Sequence, residues 1–129
     1  MTPLRPARVL FTIAVYNGRS FIDRTLYSAA HADRDGLDVD VLIMDDASPA
    51  PGFGDYVADA CARRGLQSYR SPRNQGLVRN LNVAMRWAQR GGYDYVILAN
   101  SDVIYPYNLV TGMVGAAQRT PAVSATMPP

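Results

Sequence analysis

The sequence predicts an α/β fold in which a mostly parallel sheet carries helices on both of its faces. Short apolar runs alternate along the chain with segments whose apolar residues recur at helical spacing. Turn-forming residues separate the two kinds of segment, so the pattern is a series of β-α units, which build parallel sheets with right-handed crossovers. Apolar residues make up 48% of the 129 residues, which is enough for the core of one domain.

The first half of the chain is predicted to hold two strands and two helices. Residues 8–15 form an apolar run rich in β-branched and aromatic residues, which is typical of a buried strand. Residues 21–32 show helical spacing after a turn in which Ser20 could cap the helix. After a polar loop, residues 39–44 form the second buried strand, and residues 53–64 have the spacing of a second helix.

The second half repeats this alternation. We predict a short strand over residues 66–70, a helix over residues 77–89 and a strand over residues 93–99. A helix is expected over residues 105–118, since a proline stands near its first turn, and a last strand is expected over residues 122–127. The apolar face of the helix at 77–89 is predicted to consist of Leu77, Leu81, Ala84, Met85 and Ala88.

The charged residues exclude several kinds of chemistry. All 13 basic residues are arginine and all 11 acidic residues are aspartate. Schiff-base lysine chemistry, Walker-type phosphate binding and a glutamate base within these residues are therefore excluded. The net charge of +2 is small and the arginines are scattered, so we expect no nucleic-acid partner.

Single residues and run lengths add three expectations. The lone Cys61 can form no intrachain disulfide, and its place in a predicted helix favours a structural thiol. His31, the single histidine, lies near a helix end, where a favourable dipole contact accounts for it. No apolar run approaches the roughly 18 residues that span a bilayer, so we expect a cytoplasmic protein, with any contact to the inner face of a membrane made by parts outside these residues.

Four predicted β-α turns carry the polar residues that could do chemistry. They span residues 16–20, 45–52, 71–76 and 100–105. Parallel strands bring such turns to one edge of the sheet, outside the carboxyl ends of the strands, where ligands of open α/β sheets bind. Acids gathered there are not easily ionised together unless a cation or hydrogen-bond donor joins them. A divalent metal carrying a phosphorylated ligand is the candidate.

Two of these turns contain the acids. Asp102, preceded by Asn100 and Ser101, could hold Mg²⁺ or Mn²⁺ together with phosphate oxygens, or could simply cap the next helix. The adjacent Asp45 and Asp46 could hydrogen-bond a ribose or a base N–H, or could belong to an ordinary turn. Each motif taken alone leaves both interpretations open.

The remaining two turns are weaker signals. Gly76, after Asn74, precedes a helix whose first N–H groups could meet an anion, although an ordinary helix start explains it as well. Tyr16 opens a Tyr-Asn-Gly turn that is unremarkable by itself.

The order of the four motifs resembles the N-terminal half of family-2-type glycosyltransferases with the GT-A fold, a Rossmann-like nucleotide-binding arrangement. The resemblance covers roughly residues 8–127, nearly the whole chain. The segments that carry it are residues 12–18 (TIAVYNG), 41–48 (VLIMDDAS), 74–84 (NQGLVRNLNVA) and 97–103 (ILANSDV).

The resemblance implies that this half binds a nucleotide-diphospho-sugar donor with Mn²⁺ or Mg²⁺. It assigns the base pocket to Val15 and Tyr16, and a contact with the base to Asp46. Asp45 would support the same loop as Asp46. Asn74 to Gly76 and the start of the next helix would face the base or ribose, and Asn100 and Ser101 would lie nearer the ribose. Asp102 takes the place of the metal ligand in the family's DxD motif.

The chain departs from the family pattern at identifiable positions. Asn100 stands where the DxD motif has its first acid, which lowers the expected metal affinity, and Ala14 replaces the usual proline. The acceptor half that carries the catalytic base is not among these residues, so no catalytic residue is assigned. We expect residues 1–129 to be a single donor-nucleotide-binding domain of a truncated enzyme, which in complete form inverts the sugar and transfers it to a hydroxyl of a glycan, lipid or protein acceptor.

Other classes fit the sequence less well. A two-component receiver domain would place its acid pair after the first strand and use a lysine, and a haloacid-dehalogenase-type phosphatase would need an aspartate where Tyr16 and Asn17 stand. A non-catalytic nucleotide-binding or subunit-interaction module remains an alternative. We also expect self-association through apolar surface near Val123 and Met127.

Overall fold

The computed structural model describes residues 5–119, which form four strands and four helices in strict alternation. Their order confirms the predicted β-α pattern, while the strand expected over residues 122–127 and the surface near Val123 and Met127 lie outside the described residues. The elements are β1 (Ala7–Val15), α1 (Ile22–Ala30), β2 (Leu37–Asp45), α2 (Phe53–Arg63), β3 (Gln67–Arg70), α3 (Leu77–Gly91), β4 (Tyr95–Asn100) and α4 (Leu109–Arg119).

The four strands form one parallel sheet in the order β3-β2-β1-β4. Their last residues lie side by side, because Val15 pairs with Asp45 and Ala14 pairs with Asn100. The chain runs outward from β1 through β2 to β3 and then returns to the other side of β1 for β4. The strand order therefore reverses between β1 and β4, and a crevice for ligands is expected at their carboxyl ends.

Both faces of the sheet are covered, as the sequence predicts. Odd-numbered residues of β1, such as Phe11 and Ile13, pack with α1, α2 and α4 in the larger core cluster. Leu10, on the opposite face, packs with Leu42 of β2 and with α3 in a smaller cluster. Within residues 5–119, no helix has the length and apolarity to cross a membrane.

The buried face of α3 differs from the prediction. Leu77 is 56% exposed and Met85 is 43% exposed, while Asn80, Ala84 and Ala88 face the sheet. Ala84 and Ala88 confirm the prediction for this face and pack in the smaller core cluster. The Asn80 amide oxygen accepts a hydrogen bond of 3.2 Å from Ser71, so its burial leaves that oxygen paired.

The helix starts also differ from the prediction at two places. Ser20 makes no capping bond to α1, because Phe21 takes the N-cap position and the Gly18 carbonyl accepts its N–H at 3.1 Å. The last helix begins at Leu109 and not at residue 105, because Tyr105 is tied elsewhere: its N–H donates to Ser28 of α1 at 3.0 Å.

Cys61 lies on α2 within the larger core cluster and is fully buried. Burial raises the pKa of its thiol to about 11, against a smaller opposing effect of Arg64. The thiol is therefore protonated at neutral pH, which fits a structural role and not a reactive one.

Candidate functional site

A cleft of about 340 Å³ opens at the carboxyl ends of β1 and β4, where the strand order reverses. Residues from all four predicted turns or the elements beside them approach it. The lining consists of Ala14, Val15, Tyr16, Phe21, Asp46, Leu77, Asn80, Asn100, Ser101 and Asp102.

The β1 side of the cleft combines a buried strand end with an exposed aromatic ring. Val15 is buried, and the next residue, Tyr16, leaves 51% of its surface exposed beside the cleft. Asn17 has a left-handed backbone, φ 57°, and its N–H donates to the Ser48 hydroxyl at 2.7 Å. The turn after β1 is thereby fixed to the loop after β2.

Asp45 lies beneath this arrangement and does not line the cleft. Its Oδ1 accepts hydrogen bonds from the Ser48 N–H at 3.0 Å and the Ser48 hydroxyl at 2.5 Å. The Arg70 guanidinium lies 3.6 Å from Oδ2, and the absence of a side chain on Gly54 leaves room for it. Asp45 thus fixes the backbone of the loop after β2. In this loop Ala47 adopts a left-handed conformation, with φ 54°.

Asp46 reaches the cleft and joins two elements of the site. It is only 7% exposed, and its two carboxylate oxygens accept the N–H groups of Gln75 at 2.8 Å and Gly76 at 3.0 Å. The N–H groups just before α3, which could have bound the anion of a ligand, are therefore occupied by the Asp46 carboxylate. Each carboxylate oxygen keeps a further lone pair that a ligand N–H or hydroxyl could use.

Asn100, Ser101 and Asp102 form the β4 side of the cleft. Asn100 and Asp102 are exposed, whereas Ser101 is buried. The Tyr105 hydroxyl donates to the Asn100 carbonyl. Burial, and secondarily the negative charge of Asp102, raise the pKa of Tyr105, so its hydroxyl remains a donor across the physiological range.

The structure brings together six of the nine residues that the sequence singled out, namely Val15, Tyr16, Asp46, Asn100, Ser101 and Asp102. It places Asp45 below the cleft, Gly76 against Asp46, and Asn74 on the surface outside the lining. Sequence reasoning missed Ala14, Phe21 and Asn80 as lining residues, and it included Leu77 only as part of the start of α3. Asn80 carried a usable signal, because it is a polar residue beside the predicted apolar face of α3.

The oxygen atoms in the cleft suit a metal ion that is also coordinated by the phosphates of a bound ligand. Among residues 5–119, no group of three or more His, Cys or Asp side chains could hold an ion by itself. Asp102 supplies one exposed carboxylate next to the amide and hydroxyl of Asn100 and Ser101. Mg²⁺ and Mn²⁺ are commonly held by one or two carboxylates with phosphate oxygens and water, so these residues fit such an ion.

The fold is shared with solved glycosyltransferases. A structure of S. aureus TarS 1–349 in complex with UDP has a TM-score of 0.69 at 17% identity, with 95% of this chain and 38% of that chain covered. TarS 1–349 in complex with UDP-GlcNAc gives 0.70 at 18% identity, covering 95% and 37%. The mannosyltransferase PcManGT from Pyrobaculum calidifontis, in complex with GDP-Man and Mn²⁺, gives 0.67 at 22% identity, covering 84% and 32%.

These likenesses confirm the predicted GT-A type of α/β fold, and the chain spans well under half the length of the structures it matches. No curated protein matches the chain. Residues 11–128 match the family model for glycosyl transferase family 2, which is nearly the entire sequence. The family model and the fold agree, and the chain belongs to glycosyl transferase family 2.

Proposed function

We propose that the cleft between β1 and β4 binds the nucleoside diphosphate part of a sugar donor, with Mn²⁺ or Mg²⁺ held at Asp102. Membership of the glycosyltransferase family supports a donor site in this chain. The solved relatives include one with UDP, one with UDP-GlcNAc and one with GDP-Man and Mn²⁺. The position of the cleft at the strand-order reversal supports the same site.

One observation carries the proposed need for metal. Among the described residues that line the cleft, the charged side chains are Asp46 and Asp102, and no arginine joins them. A diphosphate would meet only negative charge there, which disfavours its binding. A divalent ion at Asp102 would neutralise the diphosphate and, during transfer, stabilise it as the leaving group.

We assign the other lining residues to contacts with the base or with the ribose of the nucleotide. The exposed ring of Tyr16 and the exposed side chain of Leu77 offer apolar walls for a planar base. Asp46 can accept a base N–H through its free lone pairs while it keeps its backbone bonds. Asn100 and Ser101 supply an amide and a hydroxyl for the ribose.

For the complete enzyme we propose inverting transfer to a hydroxyl acceptor. A base would deprotonate the acceptor hydroxyl while the sugar leaves its diphosphate. In the described part of the chain, Asp46 and Asp102 are the acids that line the cleft, and both already have assigned roles. A donor-binding module without its own transfer activity is therefore the second candidate function for this chain.

Calorimetric titration with UDP, GDP and dTDP, each with and without MnCl₂, tests the proposed site. We expect at least one of them to bind with a Kd below about 1 mM in the presence of Mn²⁺. Binding should be about tenfold or more weaker without metal, since the charge then remains unbalanced. The matching nucleoside monophosphate is the control, and its metal dependence should be smaller. If no nucleotide binds at millimolar concentration with Mn²⁺, the donor site is wrong.

A further inference from the structure

We propose that α1 positions the loop of residues 101–105, called here the β4 loop, through the hydroxyls of Thr25 and Ser28. In this view Thr25 and Ser28 are positioning residues for Asp102, together with Tyr105. The inference rests on the proposed function, because it concerns how the metal ligand of that site is held in place. Neither Thr25 nor Ser28 lines the cleft.

Thr25 makes the central contact of this arrangement. It lies in the middle of α1, is 1% exposed, and its hydroxyl oxygen is 2.5 Å from the Ser101 carbonyl and 3.0 Å from the Val103 carbonyl. A threonine hydroxyl has one proton, so the two carbonyls share it. They flank Asp102 in the chain, and one side chain therefore fixes the backbone on both sides of that residue.

Ser28 and Tyr105 fix the far end of the same loop. The Ser28 hydroxyl accepts the Tyr105 N–H at 3.0 Å and donates to the Thr25 carbonyl at 2.9 Å. The Tyr105 hydroxyl donates to the Asn100 carbonyl, and its ring packs edge-to-face on Phe11 with centroids 5.2 Å apart. These bonds form one connected network, and a satisfied buried network makes a segment rigid.

The β4 loop has little apolar packing of its own that could replace these bonds. Asp102, Val103 and Ile104 are all exposed. Its position thus depends on hydrogen bonds to α1 and on the burial of Tyr105. A functional group must be held within about 0.5 Å of its working position, so loss of the Thr25 hydroxyl should displace Asp102 enough to weaken metal binding.

The arrangement also couples the two sides of the cleft. The N-terminus of α1 starts at the turn after β1, where the Gly18 carbonyl accepts the N–H of Ile22 at 3.0 Å. One turn further, the same helix holds the β4 loop through Thr25. The wall that contains Tyr16 and the wall that contains Asp102 therefore share one rigid support.

The test compares Thr25→Val with Thr25→Ser. The matched control is Thr111→Val on α4, because the half-buried Thr111 donates its hydroxyl to the Asn108 carbonyl of its own turn. Nucleotide affinity is measured with and without MnCl₂, using the nucleoside diphosphate that the wild type binds best. We expect Thr25→Val to lose about tenfold or more of the metal-dependent gain, as loss of outer-shell partners of metal ligands does. Metal-free binding should weaken by a much smaller factor, through the displacement of Ser101, whose carbonyl Thr25 also holds. Thr25→Ser, which keeps the hydroxyl, should restore the gain, and Thr111→Val should match the wild type.

Amide hydrogen exchange of the ligand-free proteins gives a second readout that requires no nucleotide. Thr25→Val should accelerate exchange of the Tyr105 amide, which is the one held by Ser28, with little change in β1 and β2. If Thr25→Val does not fold, Ser28→Ala serves for both measurements. Unchanged exchange, an unchanged metal-dependent gain, or an equal loss of metal-free binding would each overturn the positioning role. The two measurements can also disagree. If the wild type binds no nucleotide, the proposed function is refuted. If Thr25→Val nevertheless accelerates exchange of the Tyr105 amide, the positioning of the β4 loop still holds.

Discussion

Replacing Asp46 with alanine is expected to lower the free energy of unfolding by about 3 kcal/mol and to weaken nucleotide binding both with and without metal. The carboxylate accepts the N–H groups of Gln75 and Gly76, and hydrogen bonds to charged groups contribute about 1.5–3 kcal/mol each. Its removal would release the loop before α3 from the end of β2. Urea unfolding and calorimetric titration on the same variant measure the two effects.

The control for Asp46→Ala is Asp59→Ala on the exposed surface of α2. Within residues 5–119, the Asp59 side chain makes a surface ion pair with Arg63 at 3.9 Å and no other hydrogen bond or ion pair, so its loss should change stability by less than about 1 kcal/mol. Asp46→Asn should lie between, because an amide has one acceptor oxygen for two N–H donors. An Asp46→Ala protein with wild-type stability and affinity would show that this carboxylate neither holds the loop nor faces the ligand.

Replacing Asp102 with alanine is expected to abolish the metal-dependent part of nucleotide binding, a loss of about tenfold or more. Asp102 is exposed and accepts no hydrogen bond in the described structure that would be broken, so the unfolding free energy should stay within about 0.5 kcal/mol of the wild type. Metal-free binding should remain equal or become tighter, because one of the two negative charges in the cleft is gone. Titration with and without MnCl₂ measures both.

The two aspartate variants distinguish the sides of the cleft. Asp46→Ala should weaken binding both with and without metal, and Asp102→Ala should weaken binding only with metal. If metal dependence survives in Asp102→Ala, the ion is held elsewhere and the ligand assignment is wrong. If both variants behave alike, the division into a nucleoside side and a metal side has no basis.

The strand content of this fold could be predicted because β1 and β2 are runs of apolar residues that are buried on both faces. The reversal between β1 and β4 follows from the topology, which brings the turns with Tyr16 and Asp102 together. The buried face of α3 was predicted wrongly in part. Helical spacing correctly predicted Ala84 and Ala88 on this face, but it also predicted Leu77 and Met85, which are exposed, and it missed Asn80.

The supports of the site could not be predicted, because they join residues far apart in sequence. The bonds from Gln75 and Gly76 to Asp46, and from Thr25 to the carbonyl of Ser101, depend on tertiary packing that no local pattern encodes. The start of the last helix could not be predicted for the same reason. The Tyr105 N–H is bound by Ser28 of α1, a residue far away in the sequence, so the helix begins later, at Leu109. Sequence patterns located the polar residues, and the packing of the helices determines which of them reach the cleft.

A crystal structure with Mn²⁺ and the best-binding nucleoside diphosphate, with the metal located by anomalous scattering, tests the central claim most directly. We predict one strong anomalous peak within coordination distance of the Asp102 carboxylate and beside the diphosphate, with the base between Tyr16 and Leu77 beside Asp46. A nucleotide bound outside this cleft, or a metal bound to phosphate without contact to Asp102, would contradict the account.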